Sequence, residues 1–172
     1  MDREQLRTLS VPVQAAATGA TVAAAVALPQ LVHLVGGALG LGASLGSVWL
    51  PMHLPVLLLG FLAGPVAGVA AGVLAPLASF AVTGMPAAAI LPAMVVELAC
   101  YGLAAGLVRG SRLPLVAQVL LVQLSGRLAV VVLGLMPLAG EVTATVTGLP
   151  GILLQLVAIP LVLAAVRRHE QA

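Results

Sequence analysis

The chain consists of six long apolar stretches separated by short segments rich in glycine, proline or arginine. The stretches do not alternate polar and apolar residues, so they fit helices of about 20 residues better than outer-membrane strands of about 10. We therefore predict six membrane-spanning helices and a short polar link over residues 139–147. The six predicted spans cover residues 11–37, 49–64, 66–83, 87–108, 113–138 and 148–166.

The composition supports a membrane protein. Of the 172 residues, 62% are hydrophobic and 7% are charged, and the mean hydropathy is +1.22. Soluble domains carry about a quarter of their residues as charged side chains, and disordered chains need low hydrophobicity, so both classes are excluded. The single Cys100 forms no intramolecular disulfide or zinc motif. Lysine is absent and aromatic residues are few, which excludes a nucleic-acid surface. We predict one all-α integral membrane domain over residues 1–172.

The arginines predict an orientation. Those outside the spans form three pairs, which precede the first span, separate the fourth from the fifth, and follow the sixth: Arg3 with Arg7, Arg109 with Arg112, and Arg167 with Arg168. Six spans place all three pairs on one side, and Glu141 is the only charge in the opposite loops. By the positive-inside rule, both termini are cytoplasmic and the protein lies in the cell (inner or plasma) membrane. The start of the chain lacks a signal-peptide pattern, so we expect the first span to be retained.

Small residues recur every four positions in three of the spans. For Gly64, Gly68 and Gly72 in the third span, and Gly102 and Gly106 in the fourth, we predict close packing inside the bundle. The first span carries two such rows, whose combined face is broader than one neighbouring helix needs. We predict that this face docks a second protein. The two rows are Ala16, Ala20 and Ala24, and Ala15, Gly19 and Ala23.

Two charged residues lie deep within the predicted spans. Glu97 and Arg127 are each 11 residues from the outer end of a span. A rise of 1.5 Å per residue places both roughly 16 Å below the outer surface, near the middle of the membrane. They either form a buried ion pair or belong to a polar pocket in which Arg127 meets an anionic group of a ligand. The two interpretations are not exclusive.

Five further residues complete the candidate binding site. His33 and His53 flank the long outer loop, as either interfacial or ligand-contacting histidines. Trp49 and Tyr101 either stack on a ligand ring or anchor the membrane interface. Gln155 lies roughly 10 Å deep at a rise of 1.5 Å per residue. A metal site formed by His33, His53 and Glu97 has no supporting ligand spacing, so we predict no metal and no cofactor.

Motifs for ATP hydrolysis and for common hydrolytic chemistry are missing from the sequence. A phosphate-binding loop, a His-Glu-x-x-His helix and a Gly-x-Ser-x-Gly turn do not occur. We therefore expect a binding unit that takes its energy from another protein rather than an enzyme.

Seven short motifs follow one another along most of the chain. They are LPQLVH (28–33), LPMHLPVLLLGF (50–61), GPVAG (64–68), TGMP (83–86), ELACYG (97–102), GRL (126–128) and LPGILLQ (149–155). In this order, and with six spans, the chain resembles the substrate-binding S components of energy-coupling factor (ECF) transporters, in the group that serves water-soluble vitamins.

The resemblance implies a six-helix bundle that captures a vitamin near the outer face, in a pocket lined by spans four to six and gated by the loop after span one. It also implies that the small residues of span one meet a membrane T component, and that two ATPases drive release inside. Metal-transporting members carry a histidine after the initiator Met, where this chain has Asp2, which argues against nickel or cobalt.

The vitamin itself stays open. Arg127 suits a carboxylate, whereas a neutral or zwitterionic ring suits the histidines and Glu97. Two other hypotheses compete with an S component. One is a stand-alone channel or facilitator lined by Glu97 and Arg127, and the other is a small membrane enzyme that uses His33, His53 and Glu97.

Overall fold

The computed structural model describes residues 10–41 and 44–170, so Asp2, Arg3 and Arg7 lie outside the described residues. The described chain is all-α and forms one packed bundle. Its helices are α1 (Val11–Ala38), α2 (Ser44–Trp49), α3 (His53–Ala63), α4 (Pro65–Thr83), α5 (Leu91–Val108), α6 (Leu115–Val132), α7 (Leu138–Thr147) and α8 (Leu149–Glu170).

Six segments of the described chain are long and apolar enough to cross a membrane, which confirms the predicted number of spans. They are Val11–Ala38, Ser44–Ala63, Pro65–Thr83, Leu91–Val108, Leu115–Val132 and Leu149–Val166. The protein is thus a multi-pass membrane protein by helix length and hydropathy. The cytoplasmic placement of its termini stays a prediction from the arginines.

Several predicted boundaries were wrong. The second span begins earlier, at Ser44, and it consists of α2 and α3 with a turn between them in which Leu50 adopts a positive φ of 48°. The fourth span begins at Leu91 and the fifth ends at Val132. These two spans are shorter than predicted because residues 84–90 and 133–137 are taken up by turns, although their composition is apolar.

Residues 139–147 do not form the predicted polar link. They belong to α7, a ten-residue helix that begins after Pro137 and is too short to cross the membrane. The helix tolerates its threonines because their hydroxyl groups donate hydrogen bonds to carbonyls one turn earlier: Thr143 to Ala139, and Thr145 to Glu141.

Glycine allows α4 and α5 to pack with their backbones in contact. A Cβ atom added at Gly68 would collide with the backbone of Gly102, and one added at Gly102 would collide with the backbone of Gly68. Gly72 meets the backbone of Leu98 in the same way, and Gly106 meets that of Pro65. The predicted role of these glycine rows in internal packing is confirmed.

The small residues of α1 lie on the outside of the bundle. Both predicted rows are exposed, while Thr18, Ala25 and Pro29 form the buried side of the helix. A Cβ atom added at Gly19 would meet nothing within 4 Å. Internal packing therefore does not account for these two rows, and their docking role stays a prediction.

The two ends of the bundle differ in chemistry. At one end, the Arg109 guanidinium donates a 3.2 Å hydrogen bond to the carbonyl of Leu62, near the turn between α3 and α4. The opposite end brings together the last turns of α1, the short helices α2 and α7, and the loop between α4 and α5. The candidate site lies at this second end.

Candidate functional site

A cavity of about 550 Å³ lies at the end of the bundle opposite Arg109. Its wall is mostly apolar and includes four methionines, contributed by α5 and by the segments that precede α3, α5 and α7. Polar groups enter it from α1, α3, α5, α6 and α7. The polar residues that the following paragraphs use are His33, His53, Glu97, Arg127 and Glu141.

Arg127 of α6 joins α5 to α7. Its Nη1 atom donates hydrogen bonds to Glu141 Oε1 at 2.5 Å and to Thr145 Oγ1 at 2.9 Å. Its Nη2 atom lies 3.9 Å from Glu97 Oε1. The Thr145 hydroxyl accepts from Arg127 and donates to the Glu141 carbonyl at 2.8 Å, so its bonding direction is fixed. Arg127 therefore bridges two carboxylates that are 44 residues apart in the sequence.

Glu97 of α5 is held in place by an aromatic neighbour one turn later. Glu97 Oε1 accepts a 2.6 Å hydrogen bond from the Tyr101 hydroxyl and lies 3.8 Å from His53 Nε2. Tyr101 is fully buried, and its ring centroid is 5.7 Å from that of His53. A Cβ atom at Gly126 would collide with the Tyr101 ring. The glycine before Arg127 therefore lets α6 approach α5 closely at this depth.

The three charges form a closely packed cluster, which we call the charge triad: Glu97, Arg127 and Glu141. Their side chains are 15%, 11% and 8% exposed, respectively. Charged groups at such depth are costly unless they are paired. The structure pairs Glu97 with Arg127, as the ion-pair interpretation expects, and both side chains line the cavity. A contact between Arg127 and an anionic ligand stays a prediction.

The two histidines that flank the outer loop also line the cavity. Gly46 of α2 lies directly against His33, since a Cβ atom there would be 2.7 Å from His33 Cε1. The Nδ1 atoms of His33 and His53 are buried, and neither has a hydrogen-bond partner among the described residues. Each histidine thus lines the cavity and keeps one buried ring nitrogen without a partner among the described residues.

The structure does not bring three of the predicted site residues to the cavity. Trp49 is 42% exposed and does not line it. Tyr101 lies behind Glu97 and contacts its carboxylate, so it is not placed to stack on a ligand. Gln155 is buried between α6 and α8, where its Oε1 accepts a 2.7 Å hydrogen bond from Gln123. Its depth was predicted from the helical rise, which gives no information on the direction that the side chain faces.

Comparison of the chain with protein-family models, curated proteins and solved structures finds no match. Function is therefore inferred from the cavity and from the chemistry of its lining. Among the described side chains, no three His, Cys, Asp or Glu residues lie close enough together to hold a metal ion.

Glu141 is the site residue that the sequence analysis missed. Its signal is present in the sequence, because Glu141 is the only charge in the loops of the end that lacks arginine pairs. Glu141 and Thr145 are four residues apart, which places both on one face of a helix. Interpreting residues 139–147 as a polar link concealed this relationship.

Proposed function

We propose that this chain is the membrane-embedded capture subunit of an ECF-type importer, which binds a water-soluble, vitamin-like molecule from the outer face. The observation that carries the proposal is the cavity with the charge triad on its polar side. Ligand sites are typically concave and mostly apolar, with a few placed polar groups, and about 550 Å³ falls within their usual range.

The position of the arginines supports an outward-facing cavity. Arg109 lies at the end opposite the cavity, and the positive-inside rule assigns that end to the cytoplasm. A solute would then enter from outside and bind near the middle of the membrane. This is the geometry that a capture subunit requires.

The packing beyond the charge triad favours capture over a stand-alone channel. Toward the Arg109 end, α5 presents the fully buried Tyr101 and Ala105, and α6 presents the fully buried Val119 and Val122. These side chains are closely packed in the bundle interior, and the buried Gln123 beside them is bonded to Gln155. A channel needs a continuous water-filled path at this depth. Release on the cytoplasmic side would therefore require a rearrangement, for which an importer uses ATP hydrolysis.

The exposed small-residue face of α1 supports the expected partner. Small side chains let a second helix approach closely within a membrane, and Ala16, Ala20 and Ala24 are all exposed. We assign this face to a T component that works with two ATPase subunits. Replacing Ala20 with tryptophan is expected to block assembly and leave ligand affinity unchanged, whereas normal assembly would refute this assignment. Leu161→Trp is the control, because Leu161 is exposed on α8, away from this face of α1.

The test of capture is native mass spectrometry of the purified chain in detergent, followed by equilibrium binding over a panel of water-soluble vitamins. We expect one bound molecule per chain and loss of binding in Arg127→Ala, because Arg127 holds Glu97 and Glu141 in place at the cavity. Arg112→Ala changes a charge at the opposite end and serves as the control. Solute flux through liposomes that contain only this chain would instead establish the channel.

A small membrane enzyme is the remaining alternative. The histidines and Glu97 that it requires do lie on one cavity. Product formation from the panel by the purified chain, lost when both His33 and His53 are replaced, would establish it.

A further inference from the structure

We propose that the cavity selects a ring compound that carries a cationic nitrogen group, such as an amine or an amidine, over the same ring that carries a carboxylate. This inference rests on the proposed capture function and names the chemical class of its substrate. It is based on how the charges and hydrogen-bonding atoms around the cavity are already used.

The first observation is the charge balance of the cavity. Between residues 10 and 166, the chain has five charged side chains, and the two acidic ones both line the cavity with Arg127. Two carboxylates against one guanidinium leave one net negative charge when the histidines are neutral. The other two charged residues, Arg109 and Arg112, follow α5 at the opposite end and do not offset it.

The second observation is that Arg127 is already engaged by protein groups. Nη1 has two hydrogens, and both have acceptors, in Glu141 and Thr145. Nε is buried and has no hydrogen-bond partner among the described residues. A ligand carboxylate that approached Nη2 would lie beside Glu97 Oε1, which is 3.9 Å from Nη2. Like charges at such separation repel, so the arginine is a poor receptor for an anion.

The third observation concerns the groups that remain available. The hydrogen bonds and ion pairs of Glu97 and Glu141 within the described residues all use Oε1, and the Oε2 atoms have no donor. Ionised carboxylate oxygens only accept hydrogen bonds, so a ligand that binds them must donate hydrogen bonds. His53, whose side chain is 3% exposed, independently points to a ligand, because its buried Nδ1 atom has no partner among the described residues.

The apolar part of the cavity is consistent with a flat ring. Four of the five methionines in the chain line it, and methionine sulfur makes favourable contacts with the edges of aromatic rings. Methionine side chains also adapt their shape to the group that they surround. The four are Met52, Met85, Met94 and Met136.

The test uses pairs of molecules that share a ring and differ in charge. We would titrate the purified full chain with pyridoxamine and 4-pyridoxate, with benzamidine and benzoate, and with thiamin and nicotinate as a less closely matched pair. At least one cation is expected to bind 10-fold more tightly than its anionic counterpart. Tighter binding of the carboxylates would overturn this inference and leave capture standing. If no member of this panel or of the vitamin panel binds, capture itself is refuted.

Two variants identify the cause of the preference. Glu141→Gln and Glu97→Gln each remove one negative charge and keep the side-chain shape, so each is expected to weaken cation binding at least 10-fold and narrow the difference within a pair. Because both glutamine variants are measured, misfolding of one of them does not decide the result. Arg112→Gln is the matched control at the opposite end and should keep the wild-type preference. An unchanged preference in both glutamine variants would refute the role of the carboxylates.

Discussion

Replacing Arg127 with methionine tests whether the charge triad stabilises the bundle. At the 3.9 Å separation of Arg127 and Glu97, the attraction is about 4 kcal/mol for an effective dielectric constant of 20. Removing one partner from a buried ion pair typically costs about 3–5 kcal/mol, because the other charge stays buried without compensation. In a protein of this size, 1 kcal/mol corresponds to about 2–4 °C in Tm. We therefore expect a decrease in Tm of roughly 6–20 °C in detergent.

A second variant separates charge from packing. Adding Glu141→Gln to Arg127→Met removes one of the two uncompensated carboxylates and leaves Glu97 with its hydrogen bond from Tyr101. We expect the double variant to recover at least half of the lost Tm, measured by thermal unfolding in the same detergent without ligand. Arg112→Met is the control and should change Tm little. If the double variant is no more stable than Arg127→Met, the loss comes from packing and the electrostatic explanation is wrong.

Two further predictions concern packing and hydrogen bonding. Gly102→Ala pushes a Cβ atom into the backbone of Gly68, so overpacking should lower the free energy of unfolding by about 1–3 kcal/mol and lower Tm. Gly19→Ala, on the open face of α1, is the control and should leave Tm unchanged or slightly higher. Equal losses of Tm in both variants would contradict this explanation. Tyr101→Phe removes the hydroxyl that donates to Glu97 and should lower the free energy of unfolding by about 1.5–3 kcal/mol, because the hydrogen bond involves a charged group. An unchanged Tm would show that this hydroxyl contributes no net stability.

The sequence predicted the number of spans and the equal depth of Glu97 and Arg127 for one physical reason. Both predictions depend on distance along the membrane normal, which helix length and rise determine directly. Two charges at equal depth on neighbouring spans are within reach of each other whenever both face the interior. The observed 3.9 Å separation fits this reasoning.

Predictions that depend on the direction of a side chain were less successful. Gln155 lies in the predicted span, but its side chain faces α6. There it accepts a hydrogen bond from Gln123 and does not line the cavity. Tyr101 is close to the cavity and is separated from it by Glu97. Rotation about a helix axis is weakly encoded when all sides of a helix are apolar, as they are in these spans.

Charge pairing is the physical rule that would have located Glu141 from the sequence. Arg109 and Arg112 follow a span and reach the aqueous end, so they need no partner within the bundle. Glu97 and Arg127 lie within spans and do need partners, because an isolated charge in the hydrocarbon region is unstable. Pairing Glu97 with Arg127 leaves Glu141, which either remains in water or joins them. Thr145, one turn after Glu141, favours the position of Glu141 beside the arginine. A helix that carries both residues on one face presents a carboxylate and a hydroxyl together to Arg127, and α7 does so.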